Sequence, residues 1–300
     1  MTSVRIVEVG PRDGLQNEAQ HIPTAIKISL IDQLSKTGLK TIEATSFVSA
    51  KWVPQLSDAE AVLQGINKNP EVHYPVLVPN QQGMLSALGS GVTDVAVFTA
   101  ASNTFSQKNT HSSIEESFQR IEKIMPLAKE HQIPVRAYLS CVIGCPYEGK
   151  TPLKNVLRYA SRLIEMGCYE VSMGDTIGVG TPGEIKTLLK ALEQELPLSK
   201  IAVHFHDTYG QALANIYVSL EAGIRVIDSS VAGLGGCPYA PGSSGNVATE
   251  EVIYMLNGLN MHTGIDLEAV IKVSHFISEF LKRPPRSKVA LAKMPMLLPF

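Results

Sequence analysis

The sequence predicts an α/β fold in which eight parallel strands close into a barrel with helices outside. Short β-branched runs alternate with longer amphipathic segments along the chain, eight such runs can be marked, and 300 residues is a length at which such a barrel closes around one core. The competitor is a doubly wound open sheet. Against it, no G-x-G-x-x-G follows the first run, and the strand count is right for closure.

The candidate strands are VRIVEV (4–9), TIEATS (41–46), HYPVLV (73–78), DVAVFT (94–99), VRAYLS (135–140), YEVSMG (169–174), IAVHFH (201–206) and VIDSSV (226–231). The segments between them carry helix punctuation. PTAIKISLIDQLSKTG ends on Gly38, and SIEESFQRIEKIMPLAKEH opens with Ser113 and Glu116 in capping-box relation. TPLKNVLRYASRLIEMG has Thr151 as N-cap, Pro152 at the first helical position and Gly167 just past the end. TPGEIKTLLKALEQEL repeats that start with Thr181, Pro182 and Glu184. Apolar residues recur at helical spacing in each, which marks one buried face. The expectation is one TIM-barrel catalytic domain over 1–300, with the barrel reaching to about 258. From about 259 an additional C-terminal helix, IDLEAVIKVSHFISEFLKR, and a loose surface tail from Pro284 follow.

Composition narrows the function classes. With a formal net charge of −2 and intermixed signs, no basic stripe points to nucleic acid. No apolar stretch approaches a membrane span. The chain passes from MTS straight into the first strand, so no signal or transit peptide is expected, and a bacterial cytoplasm is the expected location. Four cysteines, at 141, 145, 168 and 237, are too sparse for a disulfide framework. Cys141 and Cys145 lack a partnering Cys or His pair, so no zinc site is expected there.

In such a barrel the chemistry lies at the C-terminal ends of the strands. Ionisable and polar residues gather at that end from five places: Arg12 and Asp13, Glu43, Asp175, His204 with His206 and Asp207, and a loop carrying Cys237 and Asn246. The sharpest local signal is HFHD. Side chains at i and i+2 of a strand face one way, so His204 and His206 point together into the barrel mouth while Phe205 faces the helices. Read blandly, they are core histidines satisfied by neighbours. Paired at a strand end, they more naturally share a metal ion. Asp13 is the best oxygen partner, because the first strand lies beside the eighth and near the seventh. Asn246 is the second, though an Asn there would equally serve as a helix cap. Mixed N/O donors suit Mg²⁺ or Mn²⁺, with Zn²⁺ as the other choice. Arg12 reads either as an ion-pair partner of Glu43 or Asp175 or as a fixed cation for an oxyanion or enolate. The loop 233–246, with five glycines and two prolines, reads either as plain surface or as a lid that delivers Cys237.

At these residues the sequence closely resembles the 3-hydroxy-3-methylglutaryl-CoA lyases. The motifs VEVGPRDGLQNE, IEATSFVS, SMGDTIGVGTPGE, HFHDTYGQALAN and VAGLGGCPYAPGSSGNVATEEV carry the resemblance along nearly the whole chain. The R-D and H-x-H pairs alone are similar also to isopropylmalate and homocitrate synthases, pyruvate carboxylase carboxyltransferase domains and ketoacid aldolases. The GGCPYAPGSSGN loop is the more specific part. The resemblance implies a carbon–carbon lyase of leucine degradation and ketone-body formation, with a divalent cation, a CoA thioester substrate and a homodimer. It implies Asp13, His204, His206 and Asn246 as metal ligands and Arg12 as stabiliser of the thioester enolate. Glu43, Asp175 and Cys237 are implied active-site residues, Gln16 is a substrate contact, and the base is Asp13 or an adjacent group. Two other functions compete. A condensing enzyme of the isopropylmalate type commonly carries a further region and a different Cys loop, and a non-catalytic barrel leaves five polar rim positions without purpose.

Overall fold

The computed structural model describes residues 2–236 and 245–293. The strands are β1 (Arg5–Glu8), β2 (Thr41–Ile42), β3 (Thr45–Ser46), β4 (Val76–Leu77), β5 (Val95–Ala100), β6 (Val135–Ser140), a β7–β8 hairpin (Gly144–Cys145 and Gly149–Lys150), β9 (Glu170–Asp175), β10 (Ile201–Phe205) and β11 (Val226–Ser229). Apart from the hairpin they form one sheet in the order β2-β1-β11-β10-β9-β6-β5-β4-β3. Its two ends are neighbours in sequence. β2 pairs with β1 and β3 with β4, all in parallel, so the predicted strand 41–46 closes the ring from both sides. It is parted only at Glu43 and Ala44, where the Glu43 N–H donates to Glu8 O at 2.8 Å and the Ala44 N–H to Pro75 O at 2.9 Å. The backbone changes partner there without leaving a donor unused.

The helices are α1 (Thr24–Leu34), α2 (Ala59–Gly65), α3 (Gln81–Gly89), α4 (Asn103–Thr110), α5 (Ile114–Glu130), α6 (Leu153–Glu165), α7 (Pro182–Glu195), α8 (Ala212–Glu221), α9 (Thr249–Gly258), α10 (Leu267–Phe280) and α11 (Lys288–Ala292). Both expected capping boxes are present, Ser113 with Glu116 on α5 and Thr181 with Glu184 on α7. α5 buries Phe118, Ile121 and Ile124 on one face, each contributing roughly 1.5–3 kcal/mol.

Two expectations are corrected. Pro152, not Thr151, precedes the first turn of α6. The Thr151 hydroxyl instead donates to Cys141 O at 2.7 Å, a tertiary contact that competes with capping. The segment after Pro284 is also held to the body as far as residue 293. Ser287 caps α11 through the Ala290 N–H, and both residues are fully buried. Among the described residues no helix is long and apolar enough to cross a membrane.

The barrel lumen is unusual for its charge. TIM-barrel interiors are mostly filled by branched apolar residues. Here Arg136 on β6 bonds Glu170 on β9 and Asp228 on β11, and Glu170 also bonds Arg5 on β1. This chain of ion pairs runs from the N-terminal end of the barrel towards the opposite rim.

Candidate active site

The rim begins in the turn that ends β1. Five residues of π-helix, Gly10–Gly14, begin just past the strand, with Val9 between as their cap. The Val9 carbonyl accepts the N–H groups of Arg12 (3.2 Å), Asp13 (2.7 Å) and Gly14 (3.1 Å). The chain therefore coils in place and releases both charged side chains at the mouth. Space requires the glycines: a Cβ on Gly10 would lie 2.6 Å from Glu8 Oε1, and one on Gly14 would lie 2.7 Å from Ser230 Oγ.

Arg12 is 6% exposed. Its Nε donates to Glu43 Oε2 and its Nη1 to Asp13 Oδ1, both at 2.6 Å, and its guanidinium lies 5.2 Å from the Tyr138 ring centroid. No hydrogen bond from Nη2 is found among the described residues. Burial works against the charge, but Glu43 and Asp13 outweigh it and hold the pKa above the ordinary arginine value, so Arg12 is a permanent cation. Glu43 is fully buried, and burial keeps its carboxyl above the ordinary range despite Arg12. Burial also opposes ionisation of Asp13. Arg12, His204, His206 and the Asn246 amide together overcome it and hold that carboxyl at about 2.

His204 and His206 face the cavity from β10 and its end, with ring centroids 5.4 Å apart. Burial and the neighbouring His204 lower His206 to about 4, so its imidazole is neutral at physiological pH. Its Nδ1 is buried without a hydrogen-bond partner among the described residues. One ligand atom from each of Asp13, His204 and His206 lies within 4.8 Å of the others. A carboxylate and two imidazoles, one of them with an orphaned ring nitrogen, fit a divalent cation.

Asn246 reaches the same place. The chain returns antiparallel beside His206, and Asn246 Nδ2 donates to Asp13 Oδ2 at 2.8 Å. α9 starts later, with Ala248 in the cap position, so Asn246 is not used as a helix cap. Asp207, pointing the other way from the histidines, accepts the Ala212 N–H at 3.0 Å and serves the start of α8.

The structure thus brings Arg12, Asp13, Glu43, His204, His206 and Asn246 together. Gln16 lines the same cavity, which has a volume of about 670 Å³. Asp175 does not join them. In β9, Glu170 and Ser172 face the lumen, so Asp175 shares the helix-facing side with Val171 and Met173. Its Oδ2 accepts the Gly180 N–H at 2.8 Å, and burial raises its carboxyl to about 6 against the pull of the loop N–H groups. Cys237 lies outside the described residues; Gly236, just before it, lines the cavity. Sequence reasoning missed Tyr138, Arg136 and Asp228. The available signal was a polar residue at lumen-facing parity within VRAYLS and VIDSSV.

This constellation offers a fixed cation beside a metal-competent cluster, chemistry suited to stabilising an enolate formed next to a coordinated oxygen. A family model described as HMGL-like matches residues 3–277. The mitochondrial hydroxymethylglutaryl-CoA lyase of Gallus gallus is 56% identical over 96% of this chain and 97% of its own. The crystal structure of hydroxymethylglutaryl-CoA lyase from Pseudomonas aeruginosa superposes with a TM-score of 0.95 at 54% identity, covering 97% of each chain. An HMG-CoA lyase from Acinetobacter baumannii, solved in complex with coenzyme A and 3-methylmalate, superposes with a TM-score of 0.93 at 33% identity over 99% of this chain and 97% of that one.

Proposed function

The chain belongs to the HMGL-like family, and from that membership we propose that it cleaves 3-hydroxy-3-methylglutaryl-CoA to acetyl-CoA and acetoacetate. The observation that carries this reading is the permanent, buried Arg12 cation bonded to the same Asp13 that faces His204 and His206.

The reaction is a retro-Claisen cleavage. The tertiary C3 hydroxyl loses its proton, the C2–C3 bond breaks, C3 becomes the ketone of acetoacetate, and the electron pair passes into a thioester enolate. That enolate is then protonated at carbon. Asp13, His204, His206 and Asn246 would hold Mg²⁺ or Mn²⁺, which when bound would supply Lewis acidity at the site. Arg12 meets the charge that develops on the thioester oxygen. Its two carboxylate partners fix the guanidinium before the substrate arrives, so no reorganisation is needed as the charge forms. Glu43 orients Arg12 from below. Asp13, with its carboxyl at about 2, is a weak base, which favours an adjacent group as acceptor of the hydroxyl proton. Gln16 contacts the acyl portion from the cavity wall. Asp175 acts from behind the rim by anchoring the loop at Gly180. Cys237 protonates the enolate carbon or shields it from water.

The test is an acetoacetate assay on purified protein with and without Mg²⁺ or Mn²⁺. Acetoacetate appears with the cation and is lost with chelator. No acetoacetate from folded, cation-loaded protein refutes the reading. Release of free CoA from acetyl-CoA plus a 2-oxo acid instead identifies a condensing enzyme.

A further inference from the structure

We propose that Asp228 is the positioning residue for His204, fixing its imidazole with the hydrogen on Nδ1 and the Nε2 lone pair turned to Asp13. This rests on the metal site proposed above and extends it inward.

Asp228 is 1% exposed on β11. Its Oδ2 lies 3.2 Å from His204 Nδ1 and accepts Ser172 Oγ at 2.7 Å and Arg136 Nη1 at 3.1 Å, while Oδ1 accepts Arg136 Nη2 at 2.7 Å. A carboxylate holding a guanidinium in this way can only accept from the imidazole. The hydrogen therefore sits on Nδ1, which leaves Nε2, 3.9 Å from Asp13 Oδ2, as the ring nitrogen that can offer a lone pair to a cation. Tyr138 stands edge-on to the ring at 6.0 Å and 84°, and Arg136 lies 5.0 Å from the Tyr138 centroid. The imidazole is thus bonded on one edge and packed on another. Arg136 is itself held by Glu170 at 2.7 Å. Buried ion pairs add little net stability over apolar residues of similar volume. What this set does supply is direction, because each group fixes the next up to His204. His206 contrasts with it, since its Nδ1 has no such partner among the described residues.

The experiment uses the full chain and Mn²⁺ as probe. Asp228→Asn and the milder Ser172→Ala are compared with wild type by EPR titration of Mn²⁺, by ¹⁵N NMR of the metal-free imidazoles at a pH alkaline enough to make them neutral, and by thermal melting. His206→Ala is the control for the metal site. Asp228→Asn weakens Mn²⁺ binding about ten- to hundred-fold, Ser172→Ala less, and wild-type His204 shows the Nδ1–H tautomer. A purely structural role lowers the melting midpoint while leaving tautomer and affinity unmoved, and that result overturns the inference. If His206→Ala loses Mn²⁺ but folded Asp228→Asn does not, this inference alone fails. If His206→Ala also binds as wild type, the metal site is misplaced and the inference falls with it. Should Asp228→Asn not fold, the wild-type spectrum decides, and an Nε2–H tautomer at His204 sinks the idea.

Discussion

Arg12→Gln separates the two halves of the site. Glutamine removes the charge that the mechanism needs and leaves all four proposed metal ligands in place. One donor aimed at a developing oxyanion is typically worth about 10²–10³-fold in kcat, roughly 2.7–4 kcal/mol. Arg12 offers a donor and a full charge in a site where Glu43 is 0% and Arg12 6% exposed, so kcat should fall about 10³-fold or more. Stability falls too. Breaking a buried pair costs about 3–5 kcal/mol when the remaining charge stays ionised. Burial already raises Glu43 above the ordinary carboxylate range, so it can take up a proton and hold the loss below that limit. Metal affinity moves the other way. Asp13 loses a competing cation bonded at 2.6 Å, which leaves more of its charge for the ion, so Mn²⁺ binding is unchanged or tighter. The assay is acetoacetate release at saturating Mg²⁺, beside Mn²⁺ titration of the same sample. A kcat within tenfold of wild type refutes the enolate role. A parallel loss of metal binding and kcat refutes the separation, because Arg12 would then act by holding the ligands together.

Asp175→Ala should lower the melting midpoint, since the Gly180 N–H loses its acceptor at about 1–3 kcal/mol, while Mn²⁺ affinity stays at the wild-type value; weaker Mn²⁺ binding would place Asp175 in contact with the ligand set. Glu250 accepts the Ala232 N–H at 2.9 Å through Oε1, and burial raises its carboxyl from 4.5 to about 8. Its stabilising contribution is full below the unfolded value and is lost as pH rises towards about 8, so Glu250→Gln should lose less thermal stability than wild type between about pH 4.5 and about pH 8; parallel melting curves would show that Glu250 does not titrate in that window. Cys237→Ser should retain Mn²⁺ affinity yet lose most lyase activity, and full activity would remove the thiol from the chemistry.

The barrel was legible because each strand announces itself locally, through β-branched runs between capped helices. What stayed hidden was the break in the second strand at Glu43 and Ala44. Nothing in TIEATS marks the point where one backbone must bond β1 and the next must bond β4, because that follows from ring closure rather than from any local preference. The Thr151 cap failed for a related reason. A hydroxyl beside a helix start can equally reach a tertiary carbonyl, and Cys141 O, from the loop after β6, is supplied by the fold.

The site divides along the same line. His204 and His206 could be read together because a period of two places them on one face whatever surrounds them. Parity also separates Asp207 from them. The same rule, applied to β9, sends Asp175 to the helix side once Glu170 and Ser172 are known to face the lumen, but VSMGD alone does not say which alternate set that is. Asp228 and Arg136 were harder still. Each is one charged residue in a strand, and 92 positions separate them. Only the closed ring sets them side by side, and only then does a lone Asp in VIDSSV acquire a meaning. Four of the residues that meet at the site thus come in short-range pairs, Arg12 beside Asp13 and His204 two positions from His206, whereas those that aim them are scattered singly through the strands. A functional pair needs local geometry and so leaves a short motif. Its support needs only one correctly facing side chain from each neighbouring strand, and that requirement leaves almost no trace in sequence.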